Sequence, residues 1–167
     1  LNHKLEKCPV IKKGLPGCSP SCSITCGFGN EASQNNALEF HTNEENGYKS
    51  YAAIGSRLLD ADYSMICESG ISAITPEKPL FKMHSMYDIY EYTDELYETK
   101  MNYDLTKWDF EKNHNDVVVI NLGTNDSNPI KFYQNFEDIL KTEEWFEKQY
   151  QEFIKLIRRC NGKDTYI

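Results

Sequence analysis

Nowhere in this chain do apolar residues run on for the ~20 positions that a membrane-spanning helix needs, and neither an internal repeat nor a low-complexity tract is present. Positive charge is also scarce: 18 Lys and Arg stand against 26 Asp and Glu, for a formal net charge of −8. Such a surface repels phosphate backbones on average, so nucleic acid is not an expected partner, and neither is a membrane. Lys4, Lys7, Lys12 and Lys13 read as a solvated leader rather than a binding arm. The opening stretch "LNHKLEKCPVIKKGLPGC" holds no apolar block long enough for a signal peptide. An exported protein would carry its signal outside this chain.

Histidine is sparse as well, with four in 167 residues: His3, His41, His84 and His114. The six cysteines lack the arrangement of a metal site. Cys18, Cys22 and Cys26 follow one another at short equal gaps, while Cys8, Cys67 and Cys160 stand alone. A zinc centre needs matching ligands elsewhere, and there is neither a second cluster nor a paired histidine. Iron–sulfur runs have tighter gaps. A metal module would require Cys18, Cys22 and Cys26 to converge on one ion. The pattern favours buried thiols, or one or two disulfides in an exported protein, and no metal or other cofactor is expected.

What is present suits a folded core: 40% of residues are apolar and 13% aromatic, in a length that suggests one domain. Residues 1–22 carry Pro9, Pro16, Pro20, Gly14 and Gly17 without a sustained period, and read as an irregular leader. "KGLPGCSPSC" is not the sequence of a buried strand. From Glu44 to Leu59, Tyr48, Tyr51, Ala52, Gly55, Leu58 and Leu59 recur at helical spacing and predict an amphipathic helix. "DYSMICESG", 62–70, predicts a short strand ending at a Gly turn. Residues 76–112 are a long connection with a helix over 85–98. Phe146, Tyr150, Phe153, Ile154 and Ile157 lie on one stripe of a long helix opening near Thr142, with Arg158 and Arg159 at its end and Gly162 as the stop. "DTYI" reads as the start of another strand. Helices alternating with strands predict an α/β fold on a parallel sheet.

The stretch "VVVINLGTND", 117–126, is the most informative. Four branched residues, Val117 to Ile120, suit a strand over 117–122 buried on both faces, as in a parallel sheet covered by helices. Ligands of such sheets bind beyond the carboxyl ends of the strands. The tip "GTND" is thus either a plain turn or a place for chemistry. A second stretch, "SITCGFGNEAS", 23–33, sets Ser23 in a Gly-containing turn. It is not a G-x-S-x-G elbow, since Ser21 and Thr25 hold the glycine positions.

Ser23, "ESG" with Gly70, and "GTND" with Asn125 fall in an order that resembles the SGNH (GDSL-type) hydrolases. The likeness is closest to carbohydrate esterase family two, a deacetylase branch, whose first block is similar to "SITCGFGNE" and whose third is similar to "INLGTND"; "WDF", Trp108 to Phe110, also looks like that branch. The resemblance covers residues 23–167, which would be a partial SGNH hydrolase domain. It implies a three-layer α/β/α sandwich of flavodoxin-like type, here incomplete at both ends. In the family's first block the serine follows Gly-Asp, where this chain has Ser21-Cys22.

The resemblance also implies roles. Ser23 would be the nucleophile, and its backbone N–H, that of Gly70 and the side-chain amide of Asn125 would form the oxyanion hole. Asp126 is expected to hold the loop rather than titrate. Preorganised donors of this kind stabilise the charge that gathers on an acyl oxygen under attack. Trp108 and Tyr87 are candidates to stack on a sugar ring, with packing as the plainer role for each; Trp108 is taken as the substrate contact. The implied reaction removes acetyl groups from a plant-wall polysaccharide such as xylan or mannan, or from a small acetyl ester, outside the cell and without a cofactor. The family's histidine, from an Asp-x-x-His-like block, has no counterpart here; it is expected beyond Ile167, in further parts of the same gene product. The competing class is an inactive carbohydrate-binding relic. A sheet lacking its outer strands would expose apolar edges, so instability of the isolated chain is expected.

Overall fold

The computed structural model describes residues 17–21, 23–33, 41–74, 85–127 and 139–167. Its sheet has three parallel strands in the order β2–β1–β3: β1 is Gly17–Ser21, β2 is Tyr63–Cys67 and β3 is Val117–Val118. Register runs from Gly17↔Tyr63 to Ser21↔Cys67 on one side of β1, and pairs Gly17↔Val117 and Cys18↔Val118 on the other. Parallel neighbours need long crossovers, and helices fill them. α1 (Ser23–Cys26) and α2 (Tyr51–Leu58) lie between β1 and β2, α3 (Met86–Ile89) and α4 (Glu95–Met101) between β2 and β3, and α5 (Ile139–Asn161) follows. The α/β class expected from the pattern is therefore present.

The central strand is the main correction. Residues 17–21 fall in the stretch read as an irregular leader, yet they form β1, with Pro20 fully buried. The Pro20 carbonyl accepts the Asn121 N–H at 3.3 Å, so this residue faces the β3 side, where its missing N–H would otherwise donate. On that side the ladder has already ended at Val118. The same proline accounts for the brevity of β3, expected over 117–122 and observed over two residues. Nor is that run buried on both faces, since Val118 is 2% and Val119 48% exposed.

Two predicted helices are broken by their own caps. In place of one helix over 44–59 there are two 3-10 turns, Thr42–Glu44 and Gly47–Lys49, and then α2. The Ser50 hydroxyl accepts the Ala53 N–H at 3.5 Å and starts the helix afresh. Its expected apolar stripe faces outward: Leu58 is 82% exposed, and Ala53 is the buried residue of α2. Over 85–98, Ser85 and Asp88 form a capping box on α3, and Asp94 caps α4 by accepting the Tyr97 N–H at 3.3 Å. Two N-caps within ten residues leave room for two short helices, not one.

Within the described residues α5 runs from Ile139 to Asn161 and takes in Thr142, and the chain leaves it through Gly162 at φ +79°, as expected of a stop. Its stripe does supply the core. Phe153, Leu156 and Ile157 pack with Ile71, Ile74, Met86, Tyr90 and Val118. Tyr90 meets the edge of Phe153 at 6.1 Å, and its hydroxyl accepts from Asn161 Nδ2 at 2.8 Å. Asn115 Nδ2 donates in turn to Asn161 Oδ1 at 3.0 Å, so this buried polar chain is satisfied. The "DTYI" end, expected to start another strand, meets β3 in one isolated parallel bridge between Val117 and Tyr166, with Val118 N–H on the Tyr166 carbonyl at 2.7 Å. Among the described residues no helix is long and apolar enough to cross a membrane.

This core makes Phe153→Ala a strong test. Truncating it should lower stability by roughly 3–5 kcal/mol, whereas Leu58→Ala should stay within about 0.5 kcal/mol of the parent. Urea unfolding of the two variants measures both, and equal losses would show that α5 is not the core element.

Candidate active site

Parallel strands place the loops that follow them at one end of the sheet, and three such loops carry the residues singled out above. Ser23 stands two positions beyond β1, as the first residue of α1, and is half-buried. Thr25, beside it, is fully buried, and its hydroxyl donates to the Tyr51 hydroxyl at 3.1 Å. The Asn121 side chain donates to the same oxygen at 3.2 Å. Tyr51 thereby ties the Ser23 helix, α2 and the segment after β3. Helical spacing presented Tyr51 only as apolar surface; nothing local in the sequence marks its hydroxyl as a tie.

Gly70 lies three residues beyond β2, exposed, at φ +89°. Among the described residues, its chain neighbours aside, no atom lies within 4 Å of the point where a Cβ would sit, and the left-handed backbone conformation is what calls for glycine here. The Asn125 amide donates to the Ile71 carbonyl at 2.8 Å, which joins the third loop to the second. That contact uses one of two N–H groups on the amide.

Asp126 completes the junction. It is 2% exposed, and its two carboxylate oxygens accept the Ala73 N–H at 2.7 Å and the Ile74 N–H at 3.0 Å. Asp126 holds the loop, as expected. Burial pushes its carboxyl above the ordinary value, against the opposing pull of the two N–H groups.

The elements that lead to Ser23 and Gly70 each carry a cysteine. Cys26 ends α1 and Cys67 ends β2, both half-buried; the neighbouring Cys67 and Ser69 side chains hold the Cys26 thiol below its ordinary value, against burial, and the Ser69 hydroxyl donates to Glu45 Oε1. Cys18 and Cys22, the other members of the cysteine run, have side chains outside the described residues, as does all of Cys8. Among the described residues, no three His, Cys, Asp or Glu side chains are grouped to hold a metal ion.

Trp108 is not brought to this junction. It belongs to the strip that bridges Tyr92 to Lys107, with its backbone N–H on the Glu91 carbonyl at 2.9 Å. Its indole is 41% exposed and lines a cavity of about 750 Å³ beside β2, together with Tyr90, Tyr92 and Phe110. Ser23, Gly70 and Asn125 are not on that lining. Tyr87, the other stacking candidate, is 37% exposed and meets the edge of Phe153 at 6.2 Å. His114 also lines the cavity and precedes β3, at the amino end of a strand parallel to β1, hence the opposite end of the sheet from Ser23. His41 is exposed just before the Thr42–Glu44 turn. His3 and His84 lie outside the described residues.

No protein-family model matches the chain. It is 39% identical over 145 residues to the cellulase/esterase CelE of Acetivibrio thermocellus, an alignment that takes in 87% of this chain and 16% of that protein. An active-site mutant of a family two carbohydrate esterase from Clostridium thermocellum superposes with a TM-score of 0.63 at 35% identity, over 89% of this chain and 40% of that one. A family two carbohydrate esterase from the same organism, in complex with cellohexaose, gives a TM-score of 0.54 at 28% identity over 98% of this chain and 55% of that one. The chain thus spans about a sixth of the curated relative's length.

The Asp126 bridge is testable without reference to any reaction. Asparagine offers one acceptor oxygen where the carboxylate has two, so Asp126→Asn should leave a buried N–H unpaired and cost about 1–3 kcal/mol at neutral pH. Because the folded carboxyl titrates above its unfolded value, its contribution is fully present below the unfolded value of 3.8 and declines as pH rises through the folded one. The stability gap between parent and variant should therefore narrow with rising pH across that window, as measured by urea unfolding at several pH values. A gap that widens would mean the carboxylate is not desolvated.

Proposed function

From a chain related by sequence and fold to the family two carbohydrate esterases, we propose a serine esterase that removes acetyl groups from a plant-wall polysaccharide, xylan or mannan, with the described elements forming part of a three-layer α/β/α sandwich. The observation that carries this reading is the junction of loops. Ser23 and Gly70 follow neighbouring parallel strands, and the Asn125–Asp126 loop is bonded to the backbone of Ile71, Ala73 and Ile74.

In this reading Ser23 Oγ attacks the acetyl carbon, and the carbonyl oxygen takes up negative charge. The backbone N–H groups of Ser23 and Gly70 and the free N–H of Asn125 donate to it. The sugar hydroxyl leaves with a proton, and water then cleaves the acyl-enzyme to acetate. A serine hydroxyl needs a neighbouring base to take its proton. Neither His41 nor His114 is assigned that role, and the proposal is that a histidine from another part of the gene product supplies it. The acidic surface, at −8, is compatible with a neutral glycan acting outside the cell.

A second reading, a binding domain without turnover, draws on one observation: an N–H of Asn125 is already committed to Ile71. Trp108 serves either reading as a sugar contact, since its half-exposed face sits in a cavity lined by aromatic rings.

Release of p-nitrophenol from its acetate ester by the intact gene product separates the two. The esterase reading expects turnover that Ser23→Ala abolishes and that Asn125→Ala lowers by ~10²–10³-fold in kcat, the usual effect of losing one oxyanion donor. Full activity in Ser23→Ala would sink it. Binding of acetylated xylan without turnover would leave the relic. For Trp108→Ala, glycan affinity should weaken up to about tenfold, on the order of one aromatic contact, with p-nitrophenyl acetate turnover unchanged; titration calorimetry alongside the assay reads both.

A further inference from the structure

Acyl transfer at this junction needs its three loops fixed to one another, because a misplacement of about 1 Å is enough to slow a reaction ~10²-fold. Asp126 joins the loops after β2 and β3 through the Ala73 and Ile74 N–H groups. That bridge does not reach the loop after β1. The helix there, α1, is a single turn of four residues, too short to be stable through its own hydrogen bonds.

Tyr51 reaches it. This residue opens α2, and the Ser50 hydroxyl on the Ala53 N–H sets where that helix begins. The Tyr51 hydroxyl accepts from Thr25 Oγ1 at 3.1 Å and from Asn121 Nδ2 at 3.2 Å. Thr25 is fully buried on the same turn as Ser23. Asn121 precedes Asn125 in the segment after β3, and its backbone N–H donates to the Pro20 carbonyl at 3.3 Å. One oxygen thus bonds both the segment with the candidate nucleophile and the segment with the candidate oxyanion amide. The same stretch of chain grips α1 a second time. The Asn46 N–H donates to the Gly27 carbonyl at 3.1 Å, and a Cβ at Gly27 would lie 2.1 Å from the Asn46 carbonyl oxygen.

We propose that Tyr51 is a positioning residue for acyl transfer, its hydroxyl setting Ser23 against the Asn125 amide. The inference rests on the esterase reading and deepens it. Tyr51 acts through Thr25 and Asn121, not on the substrate. The alignment it sets is used when Ser23 Oγ attacks and charge gathers on the acyl oxygen, so its loss lowers kcat and leaves KM in place. Phenylalanine keeps the ring and removes the oxygen that the two donors share. Because Tyr51 is 44% exposed, the fold survives that change.

The test is hydrolysis of p-nitrophenyl acetate by the intact gene product, with active serines counted at the end point of their reaction with diethyl p-nitrophenyl phosphate. Tyr51→Phe should lower kcat per counted serine by about ten- to a hundredfold, with KM within about twofold and a melting temperature close to the parent's. Asn121→Ala breaks the same tie from its other end and should lower kcat likewise. The double variant should be no slower than the slower single one, since both changes remove one link. If the hydroxyl only supports the fold, the variants hold fewer countable serines, each working at the parental rate, and the proposal is overturned. Losses that multiply in the double variant, or a raised KM at parental kcat, overturn it too. A parent without turnover, or one whose turnover survives Ser23→Ala, sinks the esterase reading and this inference with it. A parent silenced by Ser23→Ala, with Tyr51→Phe as fast per serine, sinks this inference alone.

Discussion

A single carboxylate holds the junction together. Asp126 lies almost wholly buried, with one oxygen on the Ala73 N–H and the other on the Ile74 N–H. Burying a charge costs several kcal/mol unless hydrogen bonds return most of it, and here they come from backbone groups that have no ladder partner of their own. The bridge fixes the segment after β3 against the segment after β2. Asn125, its neighbour, donates to the Ile71 carbonyl from that position. Whatever this end of the sheet does, it does with two loops locked by one side chain.

The sheet supplies the other constraint. With β1 central and parallel to both neighbours, the carboxyl ends of three strands point the same way, and loops far apart in sequence become adjacent. Pro20 restricts how far that sheet extends on the β3 side, because a residue without an N–H cannot continue a ladder. Beyond Val118 the chain is released from regular pairing, and Asn121 reaches across to the Tyr51 hydroxyl. Shortening of the strand and gathering of the site's supports thus share a cause.

Sequence reading was most reliable where the signal is local and repeated. The stripe of α5 and its glycine stop were legible because a helix buries one face at a fixed period, and Phe153 and Ile157 are indeed fully buried. β2 was legible as a short run closed by a Gly turn, and Asp126 was correctly read as holding its loop. The stripe on 44–59 had the right period and the wrong outcome. Spacing shows that one face is apolar but not that anything covers it, and Ser50 broke the helix where its hydroxyl could cap a new one. The missing leader strand was the reverse case: Gly17 and Pro20 argue against a strand everywhere except where the neighbours tolerate a lost donor.

The blocks of Gly70 and Asn125 were visible as small, turn-forming residues after strand-like runs, and that of Ser23 as a Gly-containing turn, because turn chemistry is set by the residues in the turn. Their order along the chain and the α/β class also came from the linear sequence. Tertiary structure alone decided that Trp108 faces a cavity apart from Ser23, that Asp126 spans to residues 73 and 74, and that the Tyr51 hydroxyl links Thr25 to Asn121. The Asp126 and Tyr51 contacts join residues dozens of positions apart. Such contacts follow from the parallel register of the strands, and a pairing register is a property of two segments at once, which no local pattern in either one encodes.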